Sequence, residues 1–228
     1  MTEEFAYPLV VSRTRRQKTA SIRVVDGIVK VTVPRTLSDR HVREFIWKSD
    51  AWIQKKLQLQ AECPVPQPKN FVSGEIFPFL GEPYRLRVVQ GVTSSVNLQN
   101  NKLIVTVCEE ANGEPVIKSL LENWYLTQAR DQLRAKTQRY ARTVGVTPAS
   151  VTVKSYKARW GSCSVRGDLS FNWRLILAPH HIVDYVVIHE LCHLLEHNHS
   201  PRFWQLVSRH VPGWKDCRAW LKVNHLSI

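Results

Sequence analysis

The amino-acid sequence predicts an α+β fold, β-rich in its first half and helical in its second, from three observations. Asp26-Gly27 separates two runs rich in β-branched residues, a strong hairpin signal. Apolar residues recur at helical spacing after Pro115 until Gly145, where a helix would stop. Residues 182–188 are apolar nearly all round, which places a helix inside the protein.

In order along the chain, residues 19–25 and 28–33 read as the two hairpin strands, ended by Pro34. Ser38-Asp39 cap a single helix expected to run to about Ala61, with Val42, Phe45, Ile46, Ile53 and Leu57 near helical spacing. A connector with Pro64, Pro66 and Pro68 follows. Short strands are expected at 77–80, 84–89 and 103–107, with turns at Gly81 and Asn100-Asn101. A helix over about 115–143 would bury Leu120, Leu121, Trp124, Ala129 and Leu133. Strands over 151–156 and 169–177 then enclose a loop through Trp160-Gly161-Ser162-Cys163. Pro179 suits the first position of the buried helix, Ser200-Pro201 open another to about His210, and a short helix follows Pro212-Gly213. This order predicts a β-rich N-terminal region over 1–112 and a second domain over 113–228.

Hydrophobic content of 43% and charged content of 22% suit a globular chain able to build its own core. No apolar run reaches the roughly 20 residues that span a bilayer, and the acidic N-terminus lacks the apolar segment of a signal peptide. A cytoplasmic protein without a membrane association is expected. The five cysteines are odd in number, scattered and without a CxxC pair, so they read as reduced and not as a disulfide framework. Net charge is +13, of which residues 1–60 carry +6 and residues 121–180 carry +7. This favours anionic partners such as nucleic acid, nucleotides or acidic proteins, with solubility alone as the bland alternative.

Eight of the nine histidines lie between His180 and His225, and among them stands His189-Glu190-Leu191-Cys192-His193, an HExxH. On a helix His189 and His193 differ by about 40° and one turn, so both imidazoles point at one ion. Glu190 lies about 100° from His189, beside that face, where it reaches a water on the metal without being a ligand. Zn2+ with three protein ligands keeps a fourth position for water, and the carboxylate serves as general base. Cys192 faces the other side. Two histidines and a glutamate on a buried helix are destabilising unless something satisfies them, which a metal does; two hydrogen-bonded core histidines are the alternative.

The third ligand is open among His197, His199 and His210. His199 follows His193 by six residues, the spacing of the extended HExxHxxGxxH pattern, but Glu196 stands where that pattern has glycine. A continuous helix would turn His199 away at about 280°. A break is therefore expected near Asn198, a residue that tolerates the left-handed conformation, and Ser200-Pro201 support it. His199 is favoured, with His197 solvated or supporting.

The chain resembles the YgjP-like metallopeptidase family (domain of unknown function 45, related to the SprT and WLM zincins). The resemblance runs over nearly the whole chain: Arg13-x-Arg15-Arg16-x-Lys18 with Ser21-Ile22-Arg23-Val24, Phe79-Leu80-Gly81-x-x-Tyr84, Trp124-Tyr125, Arg159-Trp160-Gly161-Ser162-Cys163-Ser164 and Phe171-Asn172-Trp173-Arg174-Leu175. Its most specific stretch runs from Tyr185 through the HExxH and Asn198-His199-Ser200 to Phe203-Trp204. The resemblance implies a minimal zincin in the second half, with His189, His193 and His199 as metal ligands. In zincins the strand beside the active helix offers an edge to an extended substrate, so Arg159, Asn172 and Arg174 are candidates to contact substrate or an oxyanion. Core packing of Trp160 and Trp173 with solvated or ion-paired arginines is the plain alternative. Arg13, Arg15, Arg16 and Lys18 form either a solvated loop or a phosphate site.

Three functions fit these residues. The first is a zinc metallopeptidase acting through a zinc-activated water. The second keeps the metal and cleaves a phosphoanhydride of a nucleotide, which suits the arginines and the net charge. The third is a nucleic-acid-associated protein like the SprT proteases, although no zinc finger, RRM or KH signature is present.

Overall fold

The computed structural model of the chain describes residues 5–15, 19–25, 27–62, 69–108, 113–156 and 159–224. Arg16, Lys18, Asp26, Pro64, Pro66, Pro68 and His225, all named above, and Cys63, one of the five cysteines, lie outside the described residues. The fold is α+β, and it divides into two compact units, Met1–Gln67 and Pro68–Ile228.

In the first unit β1 (Leu9–Thr14), β2 (Ser21–Val25) and β3 (Ile28–Pro34) form a sheet in the order β1-β3-β2. The β2–β3 pair is antiparallel with Val25 opposite Ile28, as the hairpin signal predicts. β1 pairs parallel with β3, a partner the local pattern does not announce. Val29, Val31 and Val33 alternate into a core with Tyr7, Leu9, Val42, Ile46 and Ile53. The single helix expected to run to about Ala61 is two, α1 (Asp39–Lys48) and α2 (Asp50–Glu62). Ser49 breaks it: its N–H bonds the carbonyls of Ile46 and Trp47, and its hydroxyl donates to the Phe45 carbonyl at 2.9 Å. Arg13 is held by the carbonyls of Arg35 and Leu37 and by Asp39 at 2.6 Å, so its guanidinium braces the unit.

The second unit begins with β4 (Ile76–Phe79), β5 (Glu82–Gln90), β6 (Ser95–Gln99) and β7 (Lys102–Val107), in the order β4-β5-β7-β6. The strand β6 was not expected, although Ser95-Val96-Asn97-Leu98-Gln99 alternates polar and apolar; it pairs antiparallel with β7. α3 (Glu114–Val144) follows and ends at Gly145 in the left-handed conformation. Its buried ridge runs Ile117, Leu121, Tyr125, Ala129, Leu133, Thr137 and Ala141, every fourth residue. Leu120 and Trp124, expected on that face, are half-buried at its flank.

β8 (Ser150–Lys154), β9 (Gly161–Cys163) and β10 (Asp168–Asn172) form a second sheet, β8-β10-β9, in which β10 is parallel to β8 and antiparallel to β9. The segment expected as a loop is therefore partly strand, and β9 is an edge. The expected strand over 169–177 stops at Asn172 and continues as a 3-10 turn, Trp173–Leu177. A short, mostly apolar run such as Trp173-Arg174-Leu175-Ile176-Leu177 does not distinguish strand from buried turn by periodicity. Here Asn172 decides, because its side chain accepts from the Arg174 N–H and caps the turn.

Three helices close the chain: α4 (His180–Cys192), α5 (Pro201–His210) and α6 (Trp214–Val223). Pro179 is the N-cap of α4, one place before the expected position. α4 is set by contacts from both sides. The Leu80 N–H donates to the Ile176 carbonyl at 2.7 Å, and a Cβ on Gly81 would stand 2.7 Å from Pro179 Cα, so only glycine lets this turn abut the start of α4. On its other flank Lys136 of α3 pairs with Asp184 at 2.6 Å.

The boundary expected near 110–115 is corrected. Leu86, Leu103, Val105 and Val107 share one continuous core with Leu121, Leu175 and Ile188, so the sheet of residues 76–107 belongs with the C-terminal helices. An acidic, glycine-containing stretch marks a surface crossing between elements as readily as a domain border. Among the described residues no helix is long and apolar enough to cross a membrane. Cys108, Cys163, Cys192 and Cys217 are free thiols.

Candidate metal centre

The last turn of α4 carries His189 and Glu190, and His193 is its C-cap. Ile182, Val183, Val186, Val187 and Leu191 are buried, which anchors the helix. After His193 the hydrogen bonding tightens: Leu194 N–H reaches the Leu191 carbonyl and Leu195 N–H the Cys192 carbonyl, each at 3.1 Å. The chain then turns through residues 197–199, and Ser200 caps α5 by accepting from the Phe203 N–H at 3.3 Å.

The break falls near Asn198 as expected, but without a left-handed residue there: among the described residues the positive-φ residues other than glycine are Phe71, Leu80, Asn100 and Asn101. The 3-10 tightening and the α5 cap make the turn between them, so Glu196 serves where the extended motif has glycine.

This turn brings His199 back to the helix. The ligand atoms of His189, His193 and His199 lie within 4.8 Å of one another, and the Nε2 atoms of His189 and His199 are 3.1 Å apart. Ligands at about 2.0–2.1 Å around a tetrahedral zinc stand roughly 3.3 Å apart, so this spacing suits a metal. His197 is exposed outside the cluster, and His180, His181 and His210 are also elsewhere.

α5 holds the rings. Phe203 is stacked on His193 with centroids 4.4 Å apart, and Trp204 is stacked on His199 at 5.4 Å. His193 Nδ1 lies 3.1 Å from the Glu196 carbonyl, which requires the N–H on Nδ1 and leaves the Nε2 lone pair for a ligand. His189 Nδ1 is buried without a hydrogen-bond partner.

Burial first, then the neighbouring imidazoles and Arg218, push the His189 pKa down to about 3. His193 is lowered chiefly by burial, and His199 by burial and by Arg218. All three are therefore shifted toward the neutral form, the form in which imidazole binds a metal. Cys192 is buried, with its thiol pushed up to about 11 by desolvation, and takes no part in the cluster.

Glu190 is only 5% exposed, and burial pushes its carboxyl up to about 8 against the pull of Arg159. A cation beside it would restore the carboxylate. Directly above passes β9: a Cβ on Gly161 would lie 2.6 Å from Glu190 Oε1 and 2.7 Å from its Cγ, so a bare backbone is needed there. Beside the edge strand opens a cleft of about 720 Å³, lined among others by Gly161, Tyr185, His189, Glu190 and His199.

The other predicted contacts separate. Arg159 is exposed, its guanidinium 5.4 Å from the Tyr156 ring and close enough to Glu190 to act on its charge. Asn172 is buried with its amide committed to the carbonyls of Tyr156 and Arg159 and its oxygen to the Arg174 N–H. It therefore shapes the loop before β9 and has no group left for substrate. Arg174 stacks 4.6 Å over Trp173, bonds Ser155 and lines a different cavity with Glu122 and Asn123. Sequence reasoning missed Tyr185, Trp204, Arg218 and Lys222 as cleft residues. Tyr185 and Trp204 had a signal, since each lies four or five residues from a ligand histidine; α6 had none.

The YgjP-like metallopeptidase domain matches residues 18–224 of the chain. No curated protein matches significantly. Among solved structures, the metallopeptidase zymogen of Pyrococcus abyssi abylysin is similar at 21% identity, over 42% of this chain and 99% of that one, with a TM-score of 0.37.

Proposed function

This chain belongs to the YgjP-like metallopeptidase family, and on that premise we propose that it is a zinc-dependent peptidase with Glu190 as general base. The reading is carried by one observation: three imidazoles converge within 4.8 Å beside a buried carboxyl under an edge strand. Nitrogen ligands of this kind suit zinc among the common divalent ions. Bound there, the ion supplies Lewis acidity, polarising a carbonyl and making water acidic enough to lose a proton near neutrality.

The chain's own residues do the rest. His189, His193 and His199 hold the ion through ring nitrogens, with Phe203, Trp204 and the Glu196 carbonyl keeping the rings in place. Glu190 takes a proton from the attacking water and returns it to the departing amine. An extended peptide adds to the free edge of β9, placing its carbonyl above Glu190 where Gly161 has no side chain. Burial around α4 keeps bulk water from Glu190.

Glu190→Gln is expected to bind zinc stoichiometrically while turnover of a casein-type substrate falls on the order of 10²–10⁴-fold. A fully active Glu190→Gln protein sinks this mechanism.

A second reading keeps the site and changes the bond to a nucleotide phosphoanhydride, since Arg218 and Lys222 line the same cleft and phosphate groups favour cations. Nucleoside triphosphates and casein assayed side by side separate the two.

A further inference from the structure

We propose that Arg218, extended by Lys222, is the specificity determinant of the cleft and selects peptides that present a carboxylate beside the scissile bond. The carboxylate is an acidic side chain or the peptide's own C-terminus. This inference rests on the peptidase reading above and names its substrate class.

Both cations stand on α6, one turn apart, and both line the cleft with His189, Glu190 and His199. Glu190 is the only acid among the residues lining it. Arg218 and Lys222 thus make part of the lining positive, and among the described residues Arg218 enters no ion pair. A cleft lined by one sign of charge recruits ligands of the other.

Arg218 is also held in place before any ligand arrives. Its guanidinium lies 5.0 Å from the Trp204 ring centroid. Trp204 is in turn stacked on Trp214 at 4.2 Å with an interplanar angle of 17°, and on His199 at 5.4 Å and 21°. One aromatic stack therefore connects His199 to the Arg218 guanidinium, fixing their separation. A guanidinium so held loses little conformational entropy on binding and offers a planar fork that matches the two oxygens of a carboxylate. A lone arginine near the histidines would serve as well for a charge developing on the reacting carbonyl. Lys222, one turn farther along α6, extends the positive wall and favours a charge that the substrate carries in its ground state.

The experiment uses the full chain loaded with zinc and fluorogenic peptides that differ only in Glu, Gln or Lys on either side of the scissile bond. Each peptide is made with a free and an amidated C-terminus, so the two sources of carboxylate are read separately. Wild type is expected to prefer one carboxylate-bearing arm by about tenfold in kcat/KM, expressed mainly in KM. In Arg218→Ala that ratio should fall to within about twofold, in Arg218→Lys it should be partly kept, and in Arg218→Glu it should invert toward the Lys peptide. Zinc content measured on each variant separates loss of the cation from loss of the site. A preference unchanged in Arg218→Ala and Arg218→Glu, or peptides cleaved with no charge preference, overturns the proposal while the peptidase reading stands. Hydrolysis of nucleoside triphosphates with no peptide cleaved overturns both.

Discussion

Glu190 shows how one residue is tuned by what covers it. Its carboxyl lies in the last turn of a buried helix, and desolvation lifts it from an ordinary value near 4.5 to about 8. In the metal-free protein the folded state therefore holds a proton on Glu190 that the unfolded state releases as pH rises from 4.5. Stability from this residue is present below 4.5 and is lost as pH rises through about 8, by a few kcal/mol at most. Glu190→Gln removes that dependence, so metal-free Glu190→Gln should gain stability on the wild type between pH 5 and about 8.5, read by urea unfolding at each pH. A difference independent of pH would show that burial does not perturb this carboxyl. Gly161 is the matching case on β9. Gly161→Ala places a Cβ against the Glu190 carboxyl, and peptidase activity is expected to fall at least about tenfold with the zinc content unchanged. Undiminished activity in that variant would mean the strand has room to move.

At the scale of elements, the site depends on where α4 ends and α5 begins. His189 and His193 share a face because they are one turn apart, whereas His199 joins them only through the turn between the helices. Ser200 sets that turn by capping α5. Ser200→Ala should therefore lower thermal stability by about 1 kcal/mol and also weaken zinc affinity, because the residue before the cap is a ligand. Competition against a colorimetric zinc chelator measures the second effect. Zinc affinity equal to wild type would show that Phe203 and Trp204 suffice to hold His199. The same logic explains which contacts sequence reading misplaced. Arg174 lies within a 3-10 turn rather than a strand, and it lines a cavity beside α3 instead of the cleft. The signal was present in Asn172, whose residue type caps helical turns, but the apolar run after it reads equally as strand.

For the whole molecule, two separate cores imply two separate responses. The histidines lie in the unit Pro68–Ile228, whose core gathers α3, α4, α5 and both of its sheets. The unit Met1–Gln67 is organised around Val29, Val31, Val33 and Ile46. An ion at a thousand times its Kd stabilises what it binds by about 4 kcal/mol. Chelation should therefore raise hydrogen exchange across residues 180–210 while the amides of β3 and α1 keep their protection, followed by mass spectrometry. Equal deprotection of both units on chelation would show that they unfold as one.

Local residue pattern by itself determined the histidine pair of the HExxH on one helix face, the glutamate beside it, the hairpin at Gly27, the caps at Ser38 and Ser200 and the end of α3 at Gly145. Each depends on spacing within a few residues, where helix and turn geometry leave few choices. Tertiary structure alone decided the rest. It joined the sheet of residues 76–107 to the C-terminal core, put Gly161 against Glu190, diverted Asn172 and Arg174 to packing, and brought Arg218 and Lys222 across from α6. Those placements come from contacts between residues far apart in sequence, which no local period encodes. The cations that line the cleft are accordingly a product of packing, while the helix that carries the HExxH could be read from thirteen consecutive residues.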